Sequence, residues 1–245
     1  MSQQAMFRIW RGDAKGGAFQ DFKTTIDSGM VVLDAVHRIQ AEQAPDLAVR
    51  WNCKAGKCGS CSAEINGTPK LMCMTRLGEL NLEMPVIIEP MHAFPSIRDL
   101  VTDVSWNFRV KKTIQKFQPR KPDNADGSWT MQQVDVDRVQ EFRKCIECFL
   151  CQDVCHVLRE HHKHEEFIGP RFLVYAAALE MHPLDTADRR EDLRRKHNIG
   201  YCNITTCCRQ VCPESITITE NAIIPLKERV VDRFFDPLKK IFHIL

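Results

Sequence analysis

Twelve cysteines in 245 residues dominate the chemistry open to this chain. Cys53, Cys58 and Cys61 form C-x4-C-x2-C, and Cys73 follows after eleven further residues. Thiolates at that spacing suit a [2Fe–2S] cluster, whereas a zinc ion is usually held by two C-x2-C pairs. Gly56 and Gly59 lie between these cysteines, where the missing Cβ lets the backbone wrap closely and aim N–H groups at sulfur. A second group, Cys145, Cys148, Cys151 and Cys155, reads C-x2-C-x2-C-x3-C. In two-cluster proteins such a run gives three ligands to one cluster and its fourth to the other. The usual Pro after the fourth cysteine is replaced by His156. Three ligands on one tight turn make a poor zinc knuckle, and C-x3-C-H is not the haem-attachment pattern C-x2-C-H.

The remaining cysteines supply a second half. A shift of 57 places Cys145 on Cys202, Cys151 on Cys208 and Cys155 on Cys212, which Pro213 follows; Cys148 falls on Thr205. Exchanging the fourth cysteines gives two sets. Cys145, Cys148, Cys151 and Cys212 offer four thiolates for a [4Fe–4S] cluster. Cys155, Cys202 and Cys208 offer three, which match a [3Fe–4S] cluster. Cys207 is the alternative, a fourth thiolate that would make the last site a second [4Fe–4S]. It sits out of register beside Cys208, so its side chain is expected to point elsewhere as a free cysteine.

Positioning these ligands requires two kinds of scaffold. Residues 6–11 and 17–25 read as strands joined by the turn-rich stretch 12–17. Val32, Leu33, Val36 and Ile39 set a helix over about 30–42. A Gly- and Cys-rich loop follows, then a buried strand, Val86-Ile87-Ile88-Glu89, and the small ββα…β domain ends near 100. Residues 109–134 are polar and Pro-containing, as expected of a linker or long surface loop. Beyond 135 the periodicity is helical, as in Phe172, Val174, Tyr175, Ala178 and Leu179. The expected class is α+β, with domains at 1–108 and 135–245.

Composition narrows the function. Charge is nearly balanced, with 34 basic and 32 acidic residues, which gives no nucleic-acid or acidic-substrate signal. No apolar run reaches the roughly 18 residues of a membrane span. Residues 1–10 hold neither a secretory apolar core nor an Arg/Ser-rich transit segment, so a cytoplasm-like compartment is expected, with any membrane attachment through a partner. Without export, cysteine richness points to metal rather than disulfides.

The whole pattern resembles the iron–sulfur subunit of succinate dehydrogenase and fumarate reductase. The resemblance spans essentially the full chain and includes Ile97-Arg98-Asp99-Leu100-Val101, Phe167-Ile168-Gly169-Pro170 and Cys202-x5-Cys208-x3-Cys212-Pro213. It implies an N-terminal plant-type ferredoxin-like (β-grasp) domain and a C-terminal all-α bacterial-ferredoxin-like domain. It also implies electron flow from the FAD of a flavoprotein subunit through [2Fe–2S], [4Fe–4S] and [3Fe–4S] clusters to quinone at a membrane anchor, on the cytoplasmic face of a bacterial inner membrane. The chain has no Gly-x-Gly-x-x-Gly dinucleotide fingerprint, in keeping with flavin and succinate sites on another chain. The alternatives are a fumarate reductase working in reverse, the iron–sulfur subunit of another flavoprotein dehydrogenase, and a zinc-bound structural module. Family members often carry Pro and then Trp after the cysteine at 155 and His after that at 202. Here these are His156-Val157-Leu158-Arg159-Glu160 and Asn203, so no quinone contact carries over. His156, His161, His162 and His164 sit among charges and read as a solvated or interface segment. Leu226, Val230, Phe234, Leu238, Ile241 and Leu245 share a helical face interrupted at Pro237. That face suits packing on its own domain or, with Lys239 and Lys240 toward lipid phosphates, an anchor or membrane surface.

Overall fold

The computed structural model describes residues 3–236 and contains two compact units. The first comprises Met1–Trp106 together with Ile146–Cys155 and Val211–Pro213; the second comprises Asn107–Cys145, His156–Gln210 and Glu214–Leu245. The contact pattern therefore draws different borders from the contiguous segments read from sequence. Two short pieces of the C-terminal half, each bearing cysteines, group with the N-terminal sheet.

The first unit is built on a long hairpin, β1 (Gln3–Asp13) and β2 (Gly16–Ile26). Both strands run further than the sequence suggests, leaving only Ala14 and Lys15 as the turn. Gly12 and Gly17 face each other in register, and a Cβ on Gly17 would lie 2.2 Å from the Arg11 carbonyl oxygen, so only glycine fits there. The helix α1 (Val32–Glu42) buries Val32, Leu33, Ala35, Val36 and Ile39, as its periodicity predicts. A second hairpin, β3 (Ser62–Ile65) and β4 (Thr68–Leu71), lies within the stretch read as loop. Its turn is Asn66-Gly67, both at positive φ (50° and 73°), the signature of a tight hairpin turn. Strands β5 (Val86–Glu89), β6 (Ser96–Arg98) and β7 (Val101–Thr102) complete a sheet of order β4-β3-β5-β1-β6-β7, with β2 beside β1. β1 runs parallel to β5, pairing Phe7, Arg8 and Ile9 with Val86, Ile87 and Ile88. Phe7, Ile9, Phe22, Ile65 and Ile88 fill the core under α1.

The second unit has no strand ladder among the described residues. After α2 (Ser105–Thr113) the chain is irregular until α3 (Gln133–Gln140), so part of the expected linker is helical. The helix α4 (Leu150–Asp153) belongs to the first unit; α5 (His156–Arg159), α6 (Gly169–Glu180), α7 (Arg190–Arg195), α8 (Cys207–Gln210) and α9 (Ile224–Phe234) belong to the second. A turn of π-helix, Ile218–Ile223, leads into α9. The unit's largest fully buried side chain is Arg189, an ion-pair centre rather than an apolar one. Its guanidinium donates to the carbonyls of Gln115 and Lys116 at 2.9 Å and to Asp185 at 2.7 Å. Further ties run from the Arg120 amide to the Leu184 carbonyl (2.8 Å) and from the Thr186 amide to the Gln118 carbonyl (2.9 Å). The polar stretch after α2 is thus stitched to residues 184–189.

Candidate metal centres

The first cysteine set is held by the sheet and by one helix end. β3 begins directly after Cys61, and the Met72 amide donates to the Cys61 carbonyl at 3.1 Å, which brings Cys73 alongside. The opening amides of α1 have no partner inside the helix. They donate instead to carbonyls on either side of Cys73: Leu33 to Met72 (3.1 Å) and Val32 to Thr75 (2.9 Å). In the loop between, Lys54, Gly56 and Gly59 take φ of 54°, 65° and 68°, turning the chain around its own centre. The Cys53 sulfur accepts hydrogen bonds from the amides of Ala55 (3.4 Å) and Lys57 (3.3 Å). Burial works to raise the Cys58 thiol, but hydrogen bonds from Ser60 and Cys53 outweigh it and bring the pKa down to about 6. Burial, joined by the Cys73 and Cys58 sulfurs, pushes Cys61 up to about 12. Links thus run from Cys53 to Cys58, from Cys58 to Cys61 and from Cys61 to Cys73.

The second half-motif repeats the first in backbone as well as in cysteines. A 3₁₀ turn, Glu141–Lys144, leads into Cys145 with φ −64° and ψ 117°; 57 residues on, Ile199–Tyr201 leads into Cys202 with φ −71° and ψ 116°. The Cys145 amide donates to the Phe142 carbonyl and the Cys202 amide to that of Ile199, again one register apart. Cys148 sits between two left-handed residues, Glu147 (φ 55°) and Phe149 (φ 64°). Thr205 sits between Ile204 (φ 61°) and Thr206 (φ 62°). Positive φ is rare outside glycine and strained for β-branched residues, so its recurrence at matching positions ties the two loops to one geometry. Each loop then enters a four-residue helix, α4 and α8, offset by the same 57 residues. Thr205 occupies the backbone position of Cys148.

The cysteines of the second half divide between the units. Cys148, Cys151, Cys155 and Cys212 belong to the first, Cys145, Cys202 and Cys208 to the second. Cys148, Cys151, Cys155 and Cys208 are buried, and all twelve cysteines are free thiols. Thiolates in this number and spacing, with the Ala55 and Lys57 amides donating to the Cys53 sulfur, suit iron–sulfur clusters. Among the described residues, Glu64, Glu89 and His92 also bring three ligand atoms within 4.8 Å of one another.

Other sequence features resolve differently. The Cys207 sulfur, a free thiol, lies 3.2 Å from the Thr205 hydroxyl. His156 and His161 stack edge to face at 6.0 Å, and no metal-binding group includes the histidines of this segment among the described residues. Leu226 and Val230 are buried, and Phe234 lies under Arg194 at 4.7 Å, so the described part of the apolar C-terminal face packs within its own unit. Pro237, Leu238, Lys239, Lys240, Ile241 and Leu245 lie outside the described residues. Sequence reasoning overlooked the β3–β4 hairpin, which Asn66-Gly67 signals, and Ser62, whose hydroxyl reaches the Cys148 carbonyl.

Comparison with known proteins agrees with this chemistry. The 2Fe-2S iron-sulfur cluster binding domain family matches residues 6–109, and the 4Fe-4S dicluster domain family matches residues 141–216. The fumarate reductase iron-sulfur subunit of Mycobacterium tuberculosis is 32% identical over 202 residues, covering 81% of this chain and 80% of that protein. The corresponding subunit of Escherichia coli O6:H1 is 29% identical over 198 residues, covering 80% and 79%. Among solved structures, a chain of the Mycobacterium smegmatis Sdh1 complex in the apo form is 57% identical with a TM-score of 0.93, over 97% of this chain and 100% of that one.

Proposed function

Because the chain belongs to the family of iron–sulfur subunits of succinate dehydrogenase and fumarate reductase, we propose that it carries electrons from a flavoprotein subunit to quinone at a membrane anchor through three clusters. The [2Fe–2S] ligands are Cys53, Cys58, Cys61 and Cys73. The [4Fe–4S] ligands are Cys145, Cys148, Cys151 and Cys212, and Cys155, Cys202 and Cys208 hold a [3Fe–4S]. The clusters supply one-electron steps without proton transfer at the thiolates. The chain's own residues fix the sulfurs in place, shield several of them from water and point amides at them, as Ala55 and Lys57 do at Cys53. Succinate oxidation is the direction we favour, since the identity to the Sdh1 chain (57%) exceeds that to the fumarate reductase subunit of M. tuberculosis (32%). No described helix is long and apolar enough to cross a membrane; a peripheral position on the cytoplasmic face, held by the anchor, is part of the same proposal and rests on the family.

The observation that carries this reading is the occurrence, within one compact unit, of the complete first cysteine set and of Cys148, Cys151, Cys155 and Cys212. The test is metal analysis of the complex that contains this chain. It should hold about nine irons per copy, from two, four and three, with matching acid-labile sulfide. Its oxidised form should give the EPR signal of a three-iron cluster and its reduced form that of a [2Fe–2S]. Zinc without labile sulfide would overturn the reading.

A further inference from the structure

The Ser62 hydroxyl is a buried group with two acceptors and one proton. It lies 2.9 Å from the carbonyl oxygen of Gly59 and 2.9 Å from that of Cys148, and the residue is 6% exposed. A buried hydroxyl needs one partner to offset its desolvation, and Gly59, three residues back, already serves. The bond to Cys148 is the one that local structure does not require, since it joins positions 86 residues apart. At the same place the two cysteine loops touch through their backbones. A Cβ built on Gly59 would stand 2.5 Å from the Cys148 Cα and 2.9 Å from its Cβ. Gly59 is therefore required twice, by its φ of 68° and by this approach. Cys148, Cys61, Cys73 and Leu150 belong to one apolar cluster, so the contact is dry and rigid.

We infer that Ser62 is a positioning residue for electron transfer between the first two clusters, its hydroxyl joining the Cys61 side of the first loop to the Cys148 carbonyl of the second. The inference rests on the ligand sets proposed above. Ser62 follows Cys61 directly, and a single hydrogen bond leads from its side chain to the main chain of Cys148. One electron leaves the first cluster, raising its charge by one, and enters the second, lowering its charge by one. No covalent bond forms or breaks, and the Ser62 proton stays on its oxygen. The hydroxyl shortens the path and holds the loops at fixed separation, a role for an outer-shell group rather than a ligand.

The test uses the purified complex with Ser62→Ala and Ser62→Thr. In Ser62→Ala, with both clusters assembled, electron transfer from the first cluster to the second should slow by about tenfold. The spin–spin splitting between the two reduced clusters in EPR should shrink as the loops part. Ser62→Thr keeps the hydroxyl and should restore both. If Ser62→Ala does not retain both clusters, Ser62→Cys, of similar shape but a weak donor, takes its place with the same expectations. Unchanged transfer rate and splitting in a fully loaded Ala or Cys variant would overturn the inference while leaving the ligand assignment intact. Absence of either cluster from the wild type would instead bring down the assignment.

Discussion

The loop at 145–151 keeps a cysteine between its two left-handed residues, whereas the loop at 202–208 keeps a threonine. Their surroundings differ as much as that side chain does. Leu150 is buried in the sheet core, and Gln152 and Asp153 are fully buried; their counterparts Cys207, Arg209 and Gln210 are half-buried or exposed. Two loops in unlike packing environments have the same turn, the same pair of positive φ values and the same short helix. Packing is therefore not what sets the geometry. A backbone that places Ile204 and Thr206 in a costly conformation needs a local reason, and holding the proposed clusters would supply one for both loops. With the ligand sets proposed above, the missing thiolate would change what the second loop holds without changing how it is folded.

The sharpest way to test the pairing is to make the loops alike. Thr205→Cys places a thiolate where Cys148 stands in the other half, so iron in the complex should rise from about nine to about ten per chain. The three-iron EPR signal of the oxidised form should vanish with it. Persistence of that signal at full strength would show that Thr205 is not at the open corner.

A smaller effect should separate the approaches to the two loops. His197 leads into the second loop, buried and with no hydrogen-bond partner at Nε2, while Gln140, its counterpart, is exposed. Burial, aided by Lys196 and opposed by Asp192, lowers the His197 pKa from 6.5 to about 4. The unfolded chain thus takes up the proton first. Stability is complete above about pH 6.5 and drains away as the pH falls toward 4, by on the order of 1–2 kcal/mol after solvent screening. Thermal unfolding of His197→Gln should show a flatter acid limb than wild type, and an identical limb would remove His197 as the cause.

Smallest of all is the strain itself. Ile204 is 39% exposed at a φ of 61°, so Ile204→Gly relieves a β-branched left-handed residue while giving up little burial. A gain of about 1 kcal/mol in unfolding free energy is expected, larger than for Glu147→Gly, whose side chain is not β-branched. If Ile204→Gly destabilises the complex, the conformation is not strained and the local argument fails.

How much of this was legible beforehand depends on what side chains announce. The 57-residue register and the odd position, Thr205, stood out because cysteines are few and their spacing is chemical. The hairpin strands and α1 followed from period-2 and period-3.6 patterns. The left-handed pair at Ile204 and Thr206 had no signal at all, since β-branched residues ordinarily avoid that region. The β3–β4 hairpin did have one, Asn66-Gly67, but the surrounding glycines and cysteines masked it as loop. Ser62 was invisible because its partner lies 86 residues away. The grouping of Ile146–Cys155 and Val211–Pro213 with the sheet was equally hidden, as contiguous reading assigns each stretch to its neighbours in sequence.

The stitching around Arg189 bears on how the chain meets a protease. Endoproteases take their substrate as an extended strand and need its backbone groups unengaged. At Gln115, Lys116, Gln118 and Arg120 those groups are committed to Arg189, Thr186, Leu184 and the Trp129 indole. Residues 121–130, by contrast, are exposed throughout. The backbone bonds of this crest run largely within itself, as from the Asp123 amide to the Ser128 carbonyl and from the Gly127 amide to the Asn124 carbonyl, so cleavage is expected there ahead of the stitched flanks. Both flanks of such a cut stay fastened, one through Arg189 and the other through α3, so a nicked chain keeps its shape and parts into fragments only when unfolded.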